Sequence, residues 1–283
     1  MRQPDAVGAS RARNEDSIGK RELLAVSFGT SYPQSRERTI AAIEQTLEQA
    51  FPTYDLRRAF TSRVVIALTE KQEGLTVDHM DRALQRAVDN GVEELVIQPT
   101  HLLEGLEYQR LLGAARERAG DFCCLAVGRP LLTEEEDFQA VARALIRVQA
   151  PLDDGRTALV LMGHGTTARC NAVYPRLERV LRSMGSEHWF VGTVEAEPGL
   201  EAVLKQVRSG HYSRVVLRPL MIVAGDHATN DMAGGEGSWK QAFAREGYEV
   251  LCQLQGLGEL EEIRAIFVRH AREAMEAAKR GLF

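Results

Sequence analysis

"LLAVSFGTS", Leu23–Ser31, and "TALVLMGHGT", Thr157–Thr166, are versions of one phrase written twice in the same chain. Each is an apolar run of strand length that stops on a glycine followed by hydroxyl residues, with Gly165 aligned to Gly29. The recurrence continues downstream. "LVIQPTHLLEG" resembles "VVLRPLMIVAG" when Pro99 is set against Pro219, "YDLRRAFTS" matches "HWFVGTVEAEP", and "FCCLAV" has its counterpart in "YEVLCQL". Between these strands lie stripes such as Ile40, Ile43, Leu47 and Phe51, or Val77, Met80, Leu84 and Val88 before Asn90-Gly91. In the second copy Leu200, Val203, Leu204 and Val207 precede Ser209-Gly210. Spacing of three and four residues marks the buried face of a helix, and a glycine just past it marks the end. Strands alternating with such helices require parallel strands joined by helical crossovers. The sequence predicts an α/β fold of two similar halves, each a four-stranded parallel sheet flanked by helices, with an active site in the cleft between them.

The expected organisation is a disordered lead-in over 1–20, a first half over 21–150 and a second over 151–283. "QAPLDDGR", Gln149–Arg156, breaks the helical pattern and reads as the linker. Thr133 to Glu136 spells T-x-x-E, a capping box that opens a helix through Val141 and Leu145, so the acidic run Glu134–Asp137 is a helix N-terminus. Leu260, Ile263, Phe267, Ala271 and Ala274 share one face of a last helix, about Leu260 to Ala278, able to pack on either half.

Composition narrows the function classes. The chain has 283 residues, 44% of them hydrophobic, and a net charge of -5 from 35 basic and 40 acidic residues. No basic footprint for nucleic acid is present, and no apolar run is long enough for a signal peptide or a membrane span, which implies a cytoplasmic protein. Cys123, Cys124, Cys170 and Cys252 form no CxxC pair, so neither a disulfide framework nor a structural zinc site is expected.

Ligands of open parallel sheets sit at the carboxyl ends of the strands. In the second half those ends carry His164 in "MGHGTT", Glu195 in "GTVEAEP" and His227 in "VAGDHATND". Two imidazoles and a carboxylate suit a divalent first-row transition metal and leave positions open for exchange. Glu197 is a weaker candidate than Glu195, because Pro198 ends the strand. The duplication supplies a contrast, since the first half has Phe28 where the second has His164, and Glu107 where it has His227. Histidines needed by the fold could be expected in both copies. A single histidine after a strand is nevertheless more often a hydrogen-bonded loop residue than a ligand, and His79, His188, His211 and His270 are read that way. "GHGTTA", Gly163–Ala168, also fits G-x-G-x-x-A, which leaves a dinucleotide-dependent oxidoreductase as an alternative. The ribose-binding acid of that fingerprint has no good candidate here, and a histidine between the first two glycines would crowd a pyrophosphate.

"MGHGT", "VEAEP" and above all "PLMIVAGDHATNDMAG" followed by "SWK", with "VSFGTSY" and "QPTHLLEG" in the first half, resemble the class II chelatases of tetrapyrrole metabolism, within them the anaerobic cobalt chelatases of the CbiK type. The similarity runs from about Glu22 to the final helix. It implies ATP-independent insertion of Co(II) into sirohydrochlorin, on the route to cobalamin, with Fe(II) insertion toward siroheme as the neighbouring alternative. It also implies His164 as metal ligand and proton acceptor, His227 as the second histidine and Glu195 as the carboxylate. No ATP or other nucleotide is implied, and a homo-oligomer is compatible with this reading.

The chemistry suits these residue types. Two pyrrole N–H protons leave as metal–nitrogen bonds form, and neutral imidazole is a suitable acceptor. Sirohydrochlorin is rich in carboxylates, so the cleft is expected to offer backbone N–H groups and cations, with Ser31, Arg36, Arg63 and Lys240 as candidates. Thr100, His101, Leu102, Leu103, Glu104 and Gly105 are expected to line the macrocycle face. A carrier that binds metal or tetrapyrrole without catalysis fits the same residues. Asn230 and Asp231 have no role derivable from sequence beyond a guess that they support the histidine.

Overall fold

The computed structural model describes residues 20–184 and 187–281. The expected lead-in, apart from Lys20, lies outside them. Among the described residues nine strands form two sheets that are parallel throughout: β1 (Arg21–Ser27), β2 (Asp55–Phe60), β3 (Asp78–His79), β4 (Glu94–Pro99) and β5 (Cys124–Val127), then β6 (Thr157–Gly163), β7 (Trp189–Thr193), β8 (Arg214–Pro219) and β9 (Glu249–Cys252). The first sheet is ordered β3-β2-β1-β4-β5 and the second β7-β6-β8-β9. Without β3, a two-residue edge strand that no sequence pattern marks, the two orders are the same. This is the expected duplicated α/β architecture, with five strands in place of four in the first half.

The helices are α1 (Pro33–Arg36) and α2 (Ala42–Ala50), joined by a π-helical stretch, then α3 (Arg63–Glu73), α4 (Met80–Asp89), α5 (Leu106–Glu117) and α6 (Glu135–Gln149). In the second half they are α7 (Val173–Ser183), α8 (Leu200–Arg208), α9 (Trp239–Arg245) and α10 (Glu261–Lys279). Alternate residues of a strand point to opposite faces, so each sheet feeds two cores. Leu24, Val26, Leu95 and Ile97 pack outward with α4 and α5, while Leu23, Ala25 and Val96 turn inward. Ala158, Val160 and Met162 likewise face α8 and α9, while Leu159, Leu161 and Val216 turn inward. The two inner faces share one core with α2, α6, α7 and α10, so a single buried layer of helices joins the halves.

The terminal helix α10 returns to the first half. It packs against β4, β5, α2 and α6, burying Ile263, Ile266, Phe267 and Ala271. A buried polar tie fastens it. His270 bonds Asp137 Oδ1 through Nε2 at 2.8 Å and donates from Nδ1 to the Arg129 carbonyl at 3.1 Å, and Arg269 also meets Asp137. Asp137 is the acid that closes the N-terminus of α6, accepting from the N–H of Glu134 at 2.8 Å and of Thr133 at 3.3 Å. The cap thus falls one residue later than T-x-x-E suggests, because the Thr133 hydroxyl donates to the Pro130 carbonyl instead. His79 caps α4 and His188 meets Tyr212, and neither these nor His211 and His270 reach the cleft. No helix among the described residues is long and apolar enough to cross a membrane.

Candidate metal centre

The parallel register that pairs Gly163 with Thr193 runs on beyond the strands, and it sets the first two residues of the site side by side. Val194 N–H donates to the Gly163 carbonyl at 3.0 Å and Glu195 N–H to the His164 carbonyl at 2.9 Å. His164 Nε2 and Glu195 Oε1 then lie 3.7 Å apart. Glycine is needed at the turn. Gly165 has φ +88, and a Cβ there would meet Thr193 at 2.8 Å and the Ala196 amide nitrogen at 2.9 Å. Its counterpart Gly29, at φ +97, is as tightly placed against Phe60. Asn171 ties the two loops together, accepting from Thr166 N–H at 3.0 Å and donating to the Glu197 carbonyl at 2.6 Å.

The third residue arrives after β8. His227 immediately precedes a π-helical turn, Ala228–Met232, and its ring stands edge-on to that of His164 with centroids 4.7 Å apart. One ligand atom from each of His164, Glu195 and His227 lies within 4.8 Å of the others, the only such His/Cys/Asp/Glu group among the described residues. Ligands about 2.0–2.2 Å from an ion stand at most about 4.4 Å from one another, so a spread of up to 4.8 Å is slightly wider than a shared ion would set.

Hydrogen bonds to the far side of each imidazole choose the tautomer. His227 Nδ1–H donates to Asp231 Oδ2 at 2.7 Å, and His164 Nδ1–H to the Gly165 carbonyl at 2.8 Å, since these oxygens only accept. With Nδ1 so engaged, Nε2 is the nitrogen each ring has left to offer, the usual arrangement of oriented metal-binding histidines. Asp231 therefore touches His227, the contact that sequence alone left as a guess. Asn230 does not touch His227 and instead donates from Nδ2 to Asp226 Oδ1 at 2.8 Å.

The trio opens onto a cavity of about 650 Å³ between the halves. Ser31, Thr100, His101, Leu102, Leu103 and Gly105 line it. Glu104 does not. The chain reverses there, with Gly105 N–H donating to the Leu103 carbonyl at 2.9 Å, and leaves Glu104 exposed apart from the lining. Thr100 is buried, its hydroxyl joined to that of Ser27 at 2.7 Å. Both ring nitrogens of His101 are shielded from water without a hydrogen-bond partner, and burial pushes its pKa down to about 4.

The cations expected in the cleft are absent from its lining. Arg36 is buried and paired with Glu73, with Nη1 at 3.0 Å from Oε1 and also reaching the Thr30 carbonyl. Arg63 pairs with Asp81 at 3.3 Å, and Lys240 is exposed in the first turn of α9. Among the described residues the lining holds Glu107, Glu195 and Asp226 and neither lysine nor arginine. Phe28, the counterpart of His164, is 53% exposed in the same cavity. A second hollow, of about 600 Å³ beside Glu178, Arg182 and His188, gathers no comparable ligand set.

The dinucleotide alternative is less well supported by the geometry. The helical run after Gly163–Ala168 opens as a 3-10 turn, Arg169–Ala172, before α7, and Thr193 and Ala196 crowd the space over Gly165 where a pyrophosphate would approach.

Comparison with known proteins shows the family. The chain is 37% identical over 260 residues to the sirohydrochlorin cobaltochelatase of Salmonella typhimurium, covering 92% of this chain and 98% of that protein. It is 31% identical over 267 residues to the sirohydrochlorin cobaltochelatase CbiKC of Nitratidesulfovibrio vulgaris, covering 91% and 92%. In fold it is similar to SirB from Bacillus subtilis with Fe3+ (TM-score 0.61, 14% identity, covering 93% of this chain and 99% of that one). It is also similar to CbiX, the terminal enzyme for siroheme biosynthesis in denitrifying bacteria (TM-score 0.56, 19% identity, covering 90% and 99%). The sequence model of the family described as cobalt chelatase (CbiK) matches residues 21–276. The chain belongs to the CbiK family of cobalt chelatases.

Proposed function

We propose that this chain inserts Co(II) into sirohydrochlorin without ATP, with His164, Glu195 and His227 holding the incoming metal. The observation that carries the reading is the convergence of their ligand atoms within 4.8 Å at the mouth of a cavity between the halves. The names of the two curated relatives favour cobalt over iron.

The geometry supports a short sequence of steps. Co(II) is a substrate here and is held by three protein groups, few enough to leave positions for the pyrrole nitrogens. The macrocycle occupies the cavity with Leu102, Leu103 and Phe28 available to its apolar face. As metal–nitrogen bonds to the ring form, the bond from His164 Nε2 breaks and frees that lone pair. His164 then accepts a pyrrole proton, and Glu195 at 3.7 Å, with its side chain 55% exposed, passes protons to solvent. Two protons leave for each Co(II) inserted, so charge balances. Ser31, Thr30 and Thr167 offer hydroxyl groups to the peripheral carboxylates in place of the expected cations.

The test is an insertion assay. Purified protein, sirohydrochlorin and Co(II) are mixed without ATP and the absorption change of metalation is followed, with a parallel arm in Fe(II). Acceleration over the spontaneous reaction, greater with Co(II), is expected. Tight Co(II) binding with no acceleration would overturn the enzyme reading and make the chain a carrier, and faster Fe(II) insertion would reverse the metal assignment.

A further inference from the structure

We propose that Tyr32 is a positioning residue for the metal centre: carried by the first half, it latches Asp226 across the cleft and so fixes the turn that presents His227. This rests on the reading of His227 as a ligand. The Tyr32 hydroxyl donates to Asp226 Oδ1 at 3.1 Å, and the same oxygen accepts from Asn230 Nδ2 at 2.8 Å. Asp226 with Asn230 and His227 with Asp231 are adjacent pairs, each spaced by four residues, on one helical turn. Holding the first pair therefore holds the second. Lower in the same loop, Ser35 Oγ donates to the Ala224 carbonyl at 2.7 Å in a buried contact. The loop bearing His227 is thus anchored to the first half at its base by a buried bond and at its mouth by an exposed one.

The duplication strengthens the inference. The alignment that sets Gly165 against Gly29 places Ala168 opposite Tyr32, and the one that sets Pro219 against Pro99 places Leu106 opposite Asp226. Neither counterpart can make the bond. The latch exists only on the side of the cleft that carries His227. Burial and the neighbouring Asp226 carboxylate raise the Tyr32 pKa above its ordinary value, so the phenol stays protonated and remains a donor. A single exposed hydrogen bond is also easily opened, as admission and release of a ring through the mouth require.

The experiment is a mutant cycle read by titration with Co(II) alone. Tyr32→Phe and Asp226→Ala are each expected to weaken Co(II) binding about three- to tenfold, and the double variant no further than the weaker single. Asp226→Asn, which keeps an acceptor oxygen, is expected to restore most of the affinity. The midpoint of urea unfolding should stay at the wild-type value, and the KM for Co(II) in the insertion assay should rise several-fold more than the KM for the ring. Wild-type affinity in Tyr32→Phe, additive losses, or a loss matched by reduced folding stability would overturn the latch. His227→Ala serves as the control. A loss of affinity there beside an unaffected Tyr32→Phe rejects the latch alone, whereas unchanged affinity in His227→Ala rejects the ligand assignment beneath it and the latch with it.

Discussion

Asp231 decides which nitrogen His227 can offer to a metal, and Asp231→Ala should therefore cost metal affinity although the residue touches no metal. The expected loss is about 10–100-fold in Co(II) affinity, the usual effect of removing the partner of a ligating histidine. Calorimetric titration measures it, and an unchanged affinity would count against the tautomer argument. His101 gives a prediction about stability. Its ordinary pKa is 6.5, and burial holds it near 4 in the folded chain. As pH falls between these values the unfolded chain takes up a proton that the folded chain does not. The stability that neutral His101 permits is complete above about pH 6.5 and declines as pH drops toward about 4. Relative to His101→Leu, the wild type should lose on the order of 2 kcal/mol of unfolding free energy between about pH 7.5 and 4.5. Parallel pH courses would show the ring to be solvated. At this scale the grouping of His164, Glu195 and His227 was legible because each stands at the carboxyl end of a strand, and the duplication set Phe28 and Glu107 against the two histidines. Asp231 and Tyr32 were not. One acts through a π-helical turn and the other through a contact between halves, and neither geometry leaves a mark on spacing.

Among the elements, the turns after β1 and β6 combine a positive φ with close packing, and one comparison separates the two effects. Gly155 and Gly165 both have positive φ, but a Cβ at Gly155 meets nothing within 4 Å while at Gly165 it meets Thr193 and Ala196. Gly155→Ala should cost about 1 kcal/mol of stability from backbone strain alone. Gly165→Ala should cost on the order of 3 kcal/mol and displace His164 from Glu195, which urea unfolding and Co(II) titration would read separately. Equal costs at the two positions would refute the packing argument. The periodic elements were legible in sequence, from β1 with its apolar run to α8 with its stripe of Leu200, Val203, Leu204 and Val207. Other elements were not, β3 and α3 among them. β3 is only two residues long, and α3 leaves Val64 and Leu68 exposed, so neither carries a clear pattern of burial.

For the whole molecule, the cleft joins a duplicated scaffold to an asymmetric site. The two-half plan could be read from repeated phrases, whereas the return of α10 to the first half could not, because an apolar stripe states that a helix packs and not where. The charge of the cleft follows from which loops line it, and it carries a kinetic consequence. Glu107, Glu195 and Asp226, with no lysine or arginine in the lining among the described residues, attract a metal ion and repel a polycarboxylate. Binding should be ordered, metal first. Fluorescence titration with sirohydrochlorin should show several-fold tighter binding when a non-inserting divalent ion already occupies the site, and equal affinity with and without the ion would refute the order. The central claim, that His164 and His227 hold and exchange the metal, is tested most directly by the initial rate of ATP-free Co(II) insertion in the wild type, His164→Ala and His227→Ala. The expected result is a rate in both variants reduced at least about 100-fold, toward that of the spontaneous reaction, with folded protein retained. Variants that insert Co(II) at the wild-type rate would contradict it.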